Sequence, residues 1–189
     1  AKLNNISFQY GVETSLALNG INLILTKGQS IGFVGSTGSG KSTLLDIIMG
    51  LITPTEGVIK VDGSVITTSN VRNWQANIAH VSQDIYLFDS TIAENIAFGE
   101  SKSEIDFDLV RESAKNACIA ETIESWSDQY QTVIGERGVR LSGGQIQRIG
   151  IARALYRQAN VLIFDEMHQK AKGRERLRNV SIIKNVTKK

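Results

Sequence analysis

The amino-acid sequence predicts an α/β fold with a mostly parallel central sheet, an N-terminal antiparallel β layer and an inserted α-helical subdomain. Three observations predict it. Short apolar runs separated by Gly, Asn and Asp fill about the first sixty residues, as in strands joined by turns. A strand, a glycine-rich loop and an apolar helix follow one another between Ser30 and Leu51. The stretch from Ser90 to Trp126 is mostly helical in pattern and richer in Glu, Asp and Lys.

The antiparallel layer is predicted from three short apolar segments near Leu3–Phe8, Ile21–Leu25 and Val58–Val61. Residues that favour turns lie between them. This arrangement is typical of a small antiparallel sheet.

The centre of the fold is predicted from the segments around the glycine-rich loop. Ser30–Val34 is a short apolar strand, and Ser42–Leu51 has the apolar spacing of a buried helix that stops near Pro54. Ile78–Val81 is another candidate strand. A glycine loop between a strand and a helix is the context in which phosphate binding becomes credible.

Two further elements follow the helical stretch. Ser142 begins a helix, and Gln145 three residues later has the spacing of a capping box. Val161–Phe164 is an apolar run typical of a parallel strand buried on both faces. The helical subdomain is therefore expected over about residues 84–155.

The composition limits the classes of function. At 189 residues the chain has the size of one domain. Its 21 Lys and Arg against 19 Asp and Glu, a net charge of +2, argue against a dedicated nucleic-acid-binding protein. Cys118 is the only cysteine, which excludes an internal disulfide and a multi-cysteine metal site. No apolar run approaches the roughly 18 residues of a membrane span, so any membrane role is expected to come from another chain or domain.

A phosphate-binding loop is predicted after the strand Ser30–Val34. Its residues are Gly35, Ser36, Thr37, Gly38, Ser39, Gly40, Lys41 and Ser42, and Thr43 follows as a further nucleotide-binding position. Glycines let successive backbone N–H groups converge on a polyphosphate at a helix N-terminus. Lys41 would reach the β- and γ-phosphates and Ser42 would place its hydroxyl on Mg²⁺. The alternative is a glycine-rich turn that only joins strand to helix.

Two carboxylates follow the strand Val161–Phe164. Asp165 would hold Mg²⁺ through water, and Glu166 would orient or deprotonate the attacking water. By itself this is a weak signal, because strand ends often carry solvated acids. With the phosphate loop it predicts a P-loop NTPase core.

Leu141-Ser142-Gly143-Gly144-Gln145 makes a second candidate anion site, since two glycines and a serine begin a helix. Together with the phosphate loop and the acidic strand, this pentapeptide resembles the signature motif of ABC ATPases. The resemblance implies that two domains pair head to tail and that Ser142, Gly143, Gly144 and Gln145 cover the γ-phosphate bound by the other domain. The expected ligands are ATP and Mg²⁺.

Other segments resemble the same family. Tyr10 is similar to the aromatic residue that stacks on adenine, with an ordinary strand tyrosine as the alternative. Gln83 is similar to the glutamine that senses Mg²⁺ and couples to the membrane domain. Thr91–Ile96 and Gly135–Gly138 look like exporter-type segments. The resemblance thus implies transmembrane domains as partners and a position at the cytoplasmic face of the inner membrane.

The resemblance covers residues 1–166 and stops there. Met167–Lys172 does not resemble the dimer-contact segment of the family, and neither His80 nor His168 lies where the family has its switch histidine. In the family the strand with that histidine lies between the phosphate-loop strand and the acidic strand, so a central gap is expected. Val180–Ile183 is a possible short strand but is expected to fill the gap poorly, because charge flanks it.

Three functions are compatible with these motifs. The first is an ATPase domain that powers an exporter or flippase by ATP-driven dimerisation. The second is a truncated domain that binds ATP without productive hydrolysis, since residues 167–189 form an atypical basic tail and the C-terminal part of the fold is missing or replaced. The third, an ABC protein of DNA repair or translation, would need a coiled-coil insertion or tandem domains that the chain lacks.

Overall fold

The computed structural model describes residues 1–11, 15–135 and 140–165, together with the backbone of 179–185. The chain divides into two compact units, one of Ala1–His80 with Asn160–Lys189 and one of Val81–Ala159. Each unit has its own hydrophobic core. Among the described residues, no helix has the length and hydrophobicity needed to cross a bilayer.

The first unit begins with the antiparallel layer that the sequence predicts. It contains β1 (Lys2–Phe8), β2 (Leu18–Ile24), β4 (Glu56–Val61) and β5 (Ser64–Val65) in the order β2-β1-β4-β5. Every neighbouring pair in this sheet is antiparallel. Inward-facing apolar residues on β1 and β4 form part of the core of the unit.

The second sheet of this unit carries the candidate site at one edge. It contains β3 (Ser30–Gly35), β6 (Ile78–Val81), β9 (Val161–Phe164) and β10 (Asn179–Asn185) in the order β3-β10-β9-β6. The α/β class is confirmed, and so are the predicted strands β3, β6 and β9.

The expected central gap in this sheet is wrong. The backbone of β10 lies between β3 and β9 and pairs antiparallel with both, with Ser181 opposite Phe33 and Ile183 opposite Ile163. An antiparallel strand needs only backbone groups in register, so charge on its flanks did not exclude it. The C-terminal part of the fold is thus replaced, and β10 runs antiparallel to both β3 and β9, which departs from the mostly parallel sheet that the sequence predicts.

Helix α1 (Lys41–Ile48) follows β3 and the glycine-rich loop, and it ends earlier than predicted. Gly50 has a φ of 68°, its N–H donates to Ile47, and the N–H of Leu51 donates to Asp46. These two bonds form a Schellman cap, which uses a left-handed glycine to end a helix. Gly50 therefore stops α1 before Pro54 is reached.

The second unit is mostly helical. It contains α3 (Ile92–Ile96), α4 (Phe107–Asn116), α5 (Ala120–Glu124) and α6 (Gly143–Tyr156), while α2 (Val71–Gln75) belongs to the first unit. A two-residue ladder joins β7 (Ser90–Thr91) to β8 (Val133–Ile134). Helix α6 packs against α3 and α4. The core of this unit includes Leu87, Ile92, Ile96, Val110, Ile119, Ile123, Ile134 and Ile149.

Candidate functional site

The glycine-rich loop joins β3 to α1, and two of its glycines are left-handed. Gly38 has a φ of 81° and Gly40 a φ of 85°. A Cβ on Gly40 would lie 2.5 Å from the carbonyl oxygen of Ala17 and 2.9 Å from Cδ2 of Leu18, whereas a Cβ on Gly38 would meet no atom within 4 Å. Glycine at position 40 is therefore needed both for its backbone conformation and for space.

Replacing Gly40 with alanine is expected to lower the free energy of unfolding by roughly 2–4 kcal/mol, from left-handed strain plus the contact with Ala17. Gly38→Ala is the matched control and should cost only about 1–2 kcal/mol, because it adds strain without crowding. Urea unfolding followed by circular dichroism measures both. Equal losses in the two variants would show that crowding at Ala17 does not determine the residue at position 40.

The N-terminus of α1 presents backbone donors to the loop. Gly40 is the N-cap and supplies no side-chain cap, so the first N–H groups of α1 lack the partner that a capping side chain would give. The loop residues that precede the N-cap are exposed: Ser36, Thr37, Gly38 and Ser39. Unpaired N–H groups and the positive end of the helix dipole favour an anion at this terminus.

The ammonium group of Lys41 is hydrogen-bonded to the loop. Its Nζ donates to the carbonyl oxygens of Gly35 at 3.0 Å and Ser36 at 2.9 Å, with a longer contact of 3.4 Å to Oγ of Ser39. These acceptors are neutral, so the bonds place the ammonium group without cancelling its charge. A polyphosphate bound in the loop would therefore lie beside a positioned cation.

Tyr10 lies against the same loop and helix, although it is far away in sequence. Its hydroxyl is 2.9 Å from Oγ1 of Thr43, and its ring packs edge-on against Phe8 with centroids 4.9 Å apart. Tyr10 is 67% exposed, whereas Thr43 is buried. The structure thus places an exposed aromatic ring next to the first turn of α1.

Two carboxyl groups interact near the end of β9: Asp46 on α1 and Asp165, which follows the strand. Burial raises the pKa of the Asp46 carboxyl on α1, the charge of Asp165 raises it further, and His80 lowers it. Ser42 lies one turn before Asp46 on the same face of α1. Hydroxyl and carboxylate oxygens of this kind suit Mg²⁺, and a divalent cation would relieve the repulsion between the two carboxylates. The second predicted acid, Glu166, lies outside the described residues.

No group of three or more His, Cys, Asp or Glu side chains among the described residues could hold a metal ion. A Mg²⁺ ion in a phosphate loop does not need such a group, because one or two protein oxygens bind it together with phosphate oxygens and water.

The second predicted anion site begins α6 in the other unit. Ser142 and Gln145 form the predicted capping box: Oγ of Ser142 accepts from the N–H of Gln145 at 3.3 Å, and Oε1 of Gln145 accepts from the N–H of Ser142 at 2.8 Å. Gly143 and Gly144 are exposed, and a Cβ on either would meet no atom within 4 Å. The helix start is therefore capped by side chains and exposed.

Gln83 also belongs to the second unit. It is exposed and follows β6, in a turn where Oγ of Ser82 donates to the carbonyl oxygen of Asp84 at 2.8 Å. Of the predicted residues, the structure brings together the phosphate loop, Tyr10 and Asp165 in the first unit. Gln83 and Ser142–Gln145 form separate features of the second unit.

An arginine of α6 was not predicted from the sequence. Arg153 donates to the carbonyl oxygens of Asn95 at 2.8 Å and Tyr86 at 3.0 Å and to Oδ1 of Asn95 at 3.2 Å, and burial lowers its pKa. It also lies 5.1 Å from the ring centroid of Phe98. Its partners, Asn95 in α3 and Tyr86 in the segment after β6, are distant in sequence, so no periodic pattern indicates them.

Arg153 supports three exposed aromatic residues, Tyr86, Phe88 and Phe98, which we call the aromatic patch. Phe88 stacks on Phe98 with centroids 4.7 Å apart and meets Tyr86 edge-on at 5.0 Å. Each of the three is at least 40% exposed. Contiguous exposed aromatic side chains mark interaction surfaces more often than isolated ones do. A sequence signal existed, because Tyr86 and Phe88 lie two residues apart in a chain with only 6% aromatic residues.

Comparison with known proteins gives consistent matches. The profile of the family described as "ABC transporter" matches residues 18–169. An ATP-dependent lipid A-core flippase of Saccharophagus degradans is 43% identical over 165 residues, and that of Ralstonia nicotianae is 39% identical over 166 residues. The heterocyst differentiation ATP-binding protein HepA of a Nostoc species is 42% identical over 165 residues.

Among solved structures, a bacterial Atm1-family ABC exporter with ATP bound is similar, with a TM-score of 0.79 and 36% identity. It and the three relatives above each align with 87% of this chain. The chain in turn spans 28% of the flippases and of the exporter chain and 26% of the Nostoc protein. The similarity is thus to one part of much longer proteins.

Proposed function

The chain belongs to the ABC transporter family, and we propose that it is the part of an exporter- or flippase-type transporter that binds and hydrolyses ATP. The observation that carries the proposal is the glycine loop around Lys41. There a fixed ammonium group, open backbone donors and an exposed aromatic ring lie together at one helix N-terminus. This combination suits a nucleoside triphosphate better than a free anion, because it offers a surface for the base as well as for the phosphates.

In this proposal the loop residues Gly35–Ser42 and Thr43 hold the phosphates and the ring of Tyr10 stacks on adenine. Ser42, Asp165 and Gln83 would hold Mg²⁺, directly or through water. When bound, Mg²⁺ neutralises charge on the phosphates. Lys41 contributes a second positive charge at the β- and γ-phosphates.

Hydrolysis is assigned to Glu166, the residue after Asp165. Its carboxylate would accept a proton from the attacking water or orient that water towards the γ-phosphate. Lys41 would stabilise the charge that develops on the phosphoryl oxygens. Gln83, exposed after β6, would complete the site when nucleotide is present.

The start of α6 supports pairing with a second nucleotide-binding domain. Neither Gly143 nor Gly144 has a positive φ, and a Cβ on either would meet no atom of the described residues within 4 Å. Glycine in a helix costs up to about 1 kcal/mol relative to alanine, and packing among the described residues gives no reason for two glycines here. Close approach by the nucleotide of a partner domain supplies one.

The aromatic patch supports a second partner. Longer relatives of the chain are named as flippases and an exporter. The patch is an exposed aromatic surface that would bind the cytoplasmic part of a transmembrane domain. Association through this surface would place the chain at the cytoplasmic face of the inner membrane. Arg153 lies on α6 and donates hydrogen bonds to the carbonyl oxygens of Asn95 and Tyr86. It would therefore couple movement of α6 to movement of the aromatic patch.

A domain that binds ATP without productive hydrolysis is the second candidate. Two observations favour it: β10 takes the place beside β3 and β9 in antiparallel direction, and His80 is exposed on β6. Neither feature matches what the family resemblance implies for hydrolysis. The two candidates share the ATP site and differ in phosphate release and in stable pairing.

Head-to-tail pairing is tested by replacing Gly143 with leucine. Leucine favours helix, and a Cβ at position 143 would meet no atom of the described residues within 4 Å, so folding and the affinity for nucleotide should be unchanged. With a non-hydrolysable ATP analogue and Mg²⁺, the wild-type chain is expected to dimerise, and the variant should dimerise at least about 10-fold more weakly. Analytical ultracentrifugation measures this. A wild-type chain that binds the analogue and stays monomeric would contradict pairing and favour the second candidate.

A further inference from the structure

Two lysines lie directly opposite each other on the antiparallel sheet of the first unit. Lys2 on β1 is paired with Lys60 on β4, and on its other side Lys2 is paired with Ile24 on β2. Paired residues share one face of a sheet, with Cβ atoms about 4.5–5.5 Å apart, and like charges in such positions are destabilising. The register of this sheet therefore places two ammonium groups where an anion would relieve their repulsion.

No carboxylate of the described residues pairs with either lysine. Within that part of the chain the ion pairs belong to the second unit and are formed by Lys102 with Glu94 and by Arg111 with Asp108. The charges of Lys2 and Lys60 are thus not balanced by an ion pair within the described residues.

Both lysines line a cavity of about 600 Å³ in the first unit. It lies at the end of the sheet where β1 begins and where β2 and β4 end. The charged side chains around it are those of Lys2, Lys27, Lys60 and Asp62, so three cations face one carboxylate. The cavity therefore favours a ligand with negative charge.

The other walls of the cavity are largely apolar. They include the buried side chains of Leu25, Trp74 and Val161 and the half-buried side chains of Ile31 and Val61. Ile24, beside Lys2, also lines the cavity and is 61% exposed. Apolar walls with a few charged groups at one side are typical of sites for small organic ligands, and the volume lies within their usual range.

The cavity is separate from the glycine-rich loop. Ile31 and Val161 line the cavity near the start of β3 and at the start of β9, whereas the loop and Asp165 follow the ends of these strands. The six residues of β3 extend over roughly 17 Å. A ligand in the cavity would therefore not occupy the proposed nucleotide site.

We propose that this cavity binds an amphipathic anion, of which an alkyl carboxylate is the simplest example. The carboxylate lies between the ammonium groups of Lys2 and Lys60, where charge-assisted hydrogen bonds take the place of their repulsion. The alkyl chain covers Ile24 and lies along the apolar wall beside Trp74, so apolar surface is removed from water.

Tryptophan fluorescence measures binding, because Trp74 lines the cavity and Trp126, the other tryptophan, lies in the second unit. In the Trp126→Phe variant, dodecanoate below its micelle-forming concentration should change the emission of Trp74 in a saturable way. Dodecanol lacks the charge and acetate lacks the chain, so each should bind at least about 10-fold more weakly than dodecanoate.

Lys60→Gln, made in the same background, removes one ammonium group and keeps a polar side chain. It should weaken dodecanoate binding by about 10-fold, the loss of one charge-assisted hydrogen bond. Urea unfolding should show no loss of stability, because the repulsion with Lys2 is also removed. Lys115→Gln is the matched control: Lys115 is exposed on α4 of the second unit, and its replacement should leave binding unchanged.

Equal affinity of Lys60→Gln and its parent for dodecanoate would overturn the proposal, and so would equal binding of dodecanol or acetate. Titration of the same proteins with Mg-ATP keeps the result apart from the nucleotide site, since Lys60→Gln should bind Mg-ATP as its parent does. A folded chain that binds Mg-ATP but not dodecanoate would overturn this inference and leave the proposed function standing.

Discussion

Lys41→Ala is expected to weaken binding of Mg-ATP by roughly 10³-fold, which is the largest effect on affinity that we expect from one substitution. The Nζ of Lys41 lies within 3.0 Å of two loop carbonyl oxygens, and these bonds fix its position at the loop. Its loss removes charge-assisted bonds to two phosphates, each worth about 1.5–3 kcal/mol. Calorimetric titration of both proteins measures the change.

Lys60→Ala is the matched control for this substitution. Lys60 is a partly buried lysine on β4 of the same unit, and its removal should leave the affinity for ATP unchanged. A Lys41→Ala protein that keeps its circular dichroism spectrum and binds ATP as wild type does would contradict the assignment of Lys41 to the phosphates.

Glu166→Gln is expected to lower the rate of phosphate release by about 10²–10⁴-fold while ATP binding is kept. Glutamine has nearly the same size as glutamate but cannot accept the proton of the attacking water. Measurement of single-turnover phosphate release with saturating Mg-ATP separates the chemical step from nucleotide binding.

Glu112→Gln, an exposed residue of α4, is the control for loss of one negative charge. It should release phosphate at the wild-type rate. If Glu166→Gln released phosphate as fast as wild type, another group would be the base. If the wild-type chain bound ATP and released no phosphate, the second candidate function would stand.

Much of the fold followed from local sequence patterns. Strands β1, β3 and β9 and helix α1 are short apolar segments next to turn residues, so their positions were predicted within a few residues. The end of α1 was predicted a few residues too late, because a left-handed Gly50 closes a Schellman cap before the more visible Pro54 is reached. The pairing of β10 with β3 and β9 was not expected. Backbone hydrogen bonds determine its place in the sheet, and they leave no strong side-chain pattern in the sequence.

The candidate site was predictable where its residues are contiguous. The loop Gly35–Ser42 and the helix start Ser142–Gln145 each carry a recognisable pattern of glycines and hydroxyl residues. Contacts between distant residues were not predictable, such as that of Tyr10 with Thr43 or of Arg153 with Asn95. These depend on how loops and helices meet in three dimensions, which periodicity does not encode.

Titration of the folded wild-type chain with Mg-ATP tests the central claim most directly. A Mg-ATP-binding domain of the ABC family should show saturable binding at one site per chain, and inorganic phosphate should compete only weakly because it offers neither a base nor three linked phosphates. A chain that gives a native circular dichroism spectrum but no saturable binding of Mg-ATP would contradict it, since the loop around Lys41 would then only join β3 to α1.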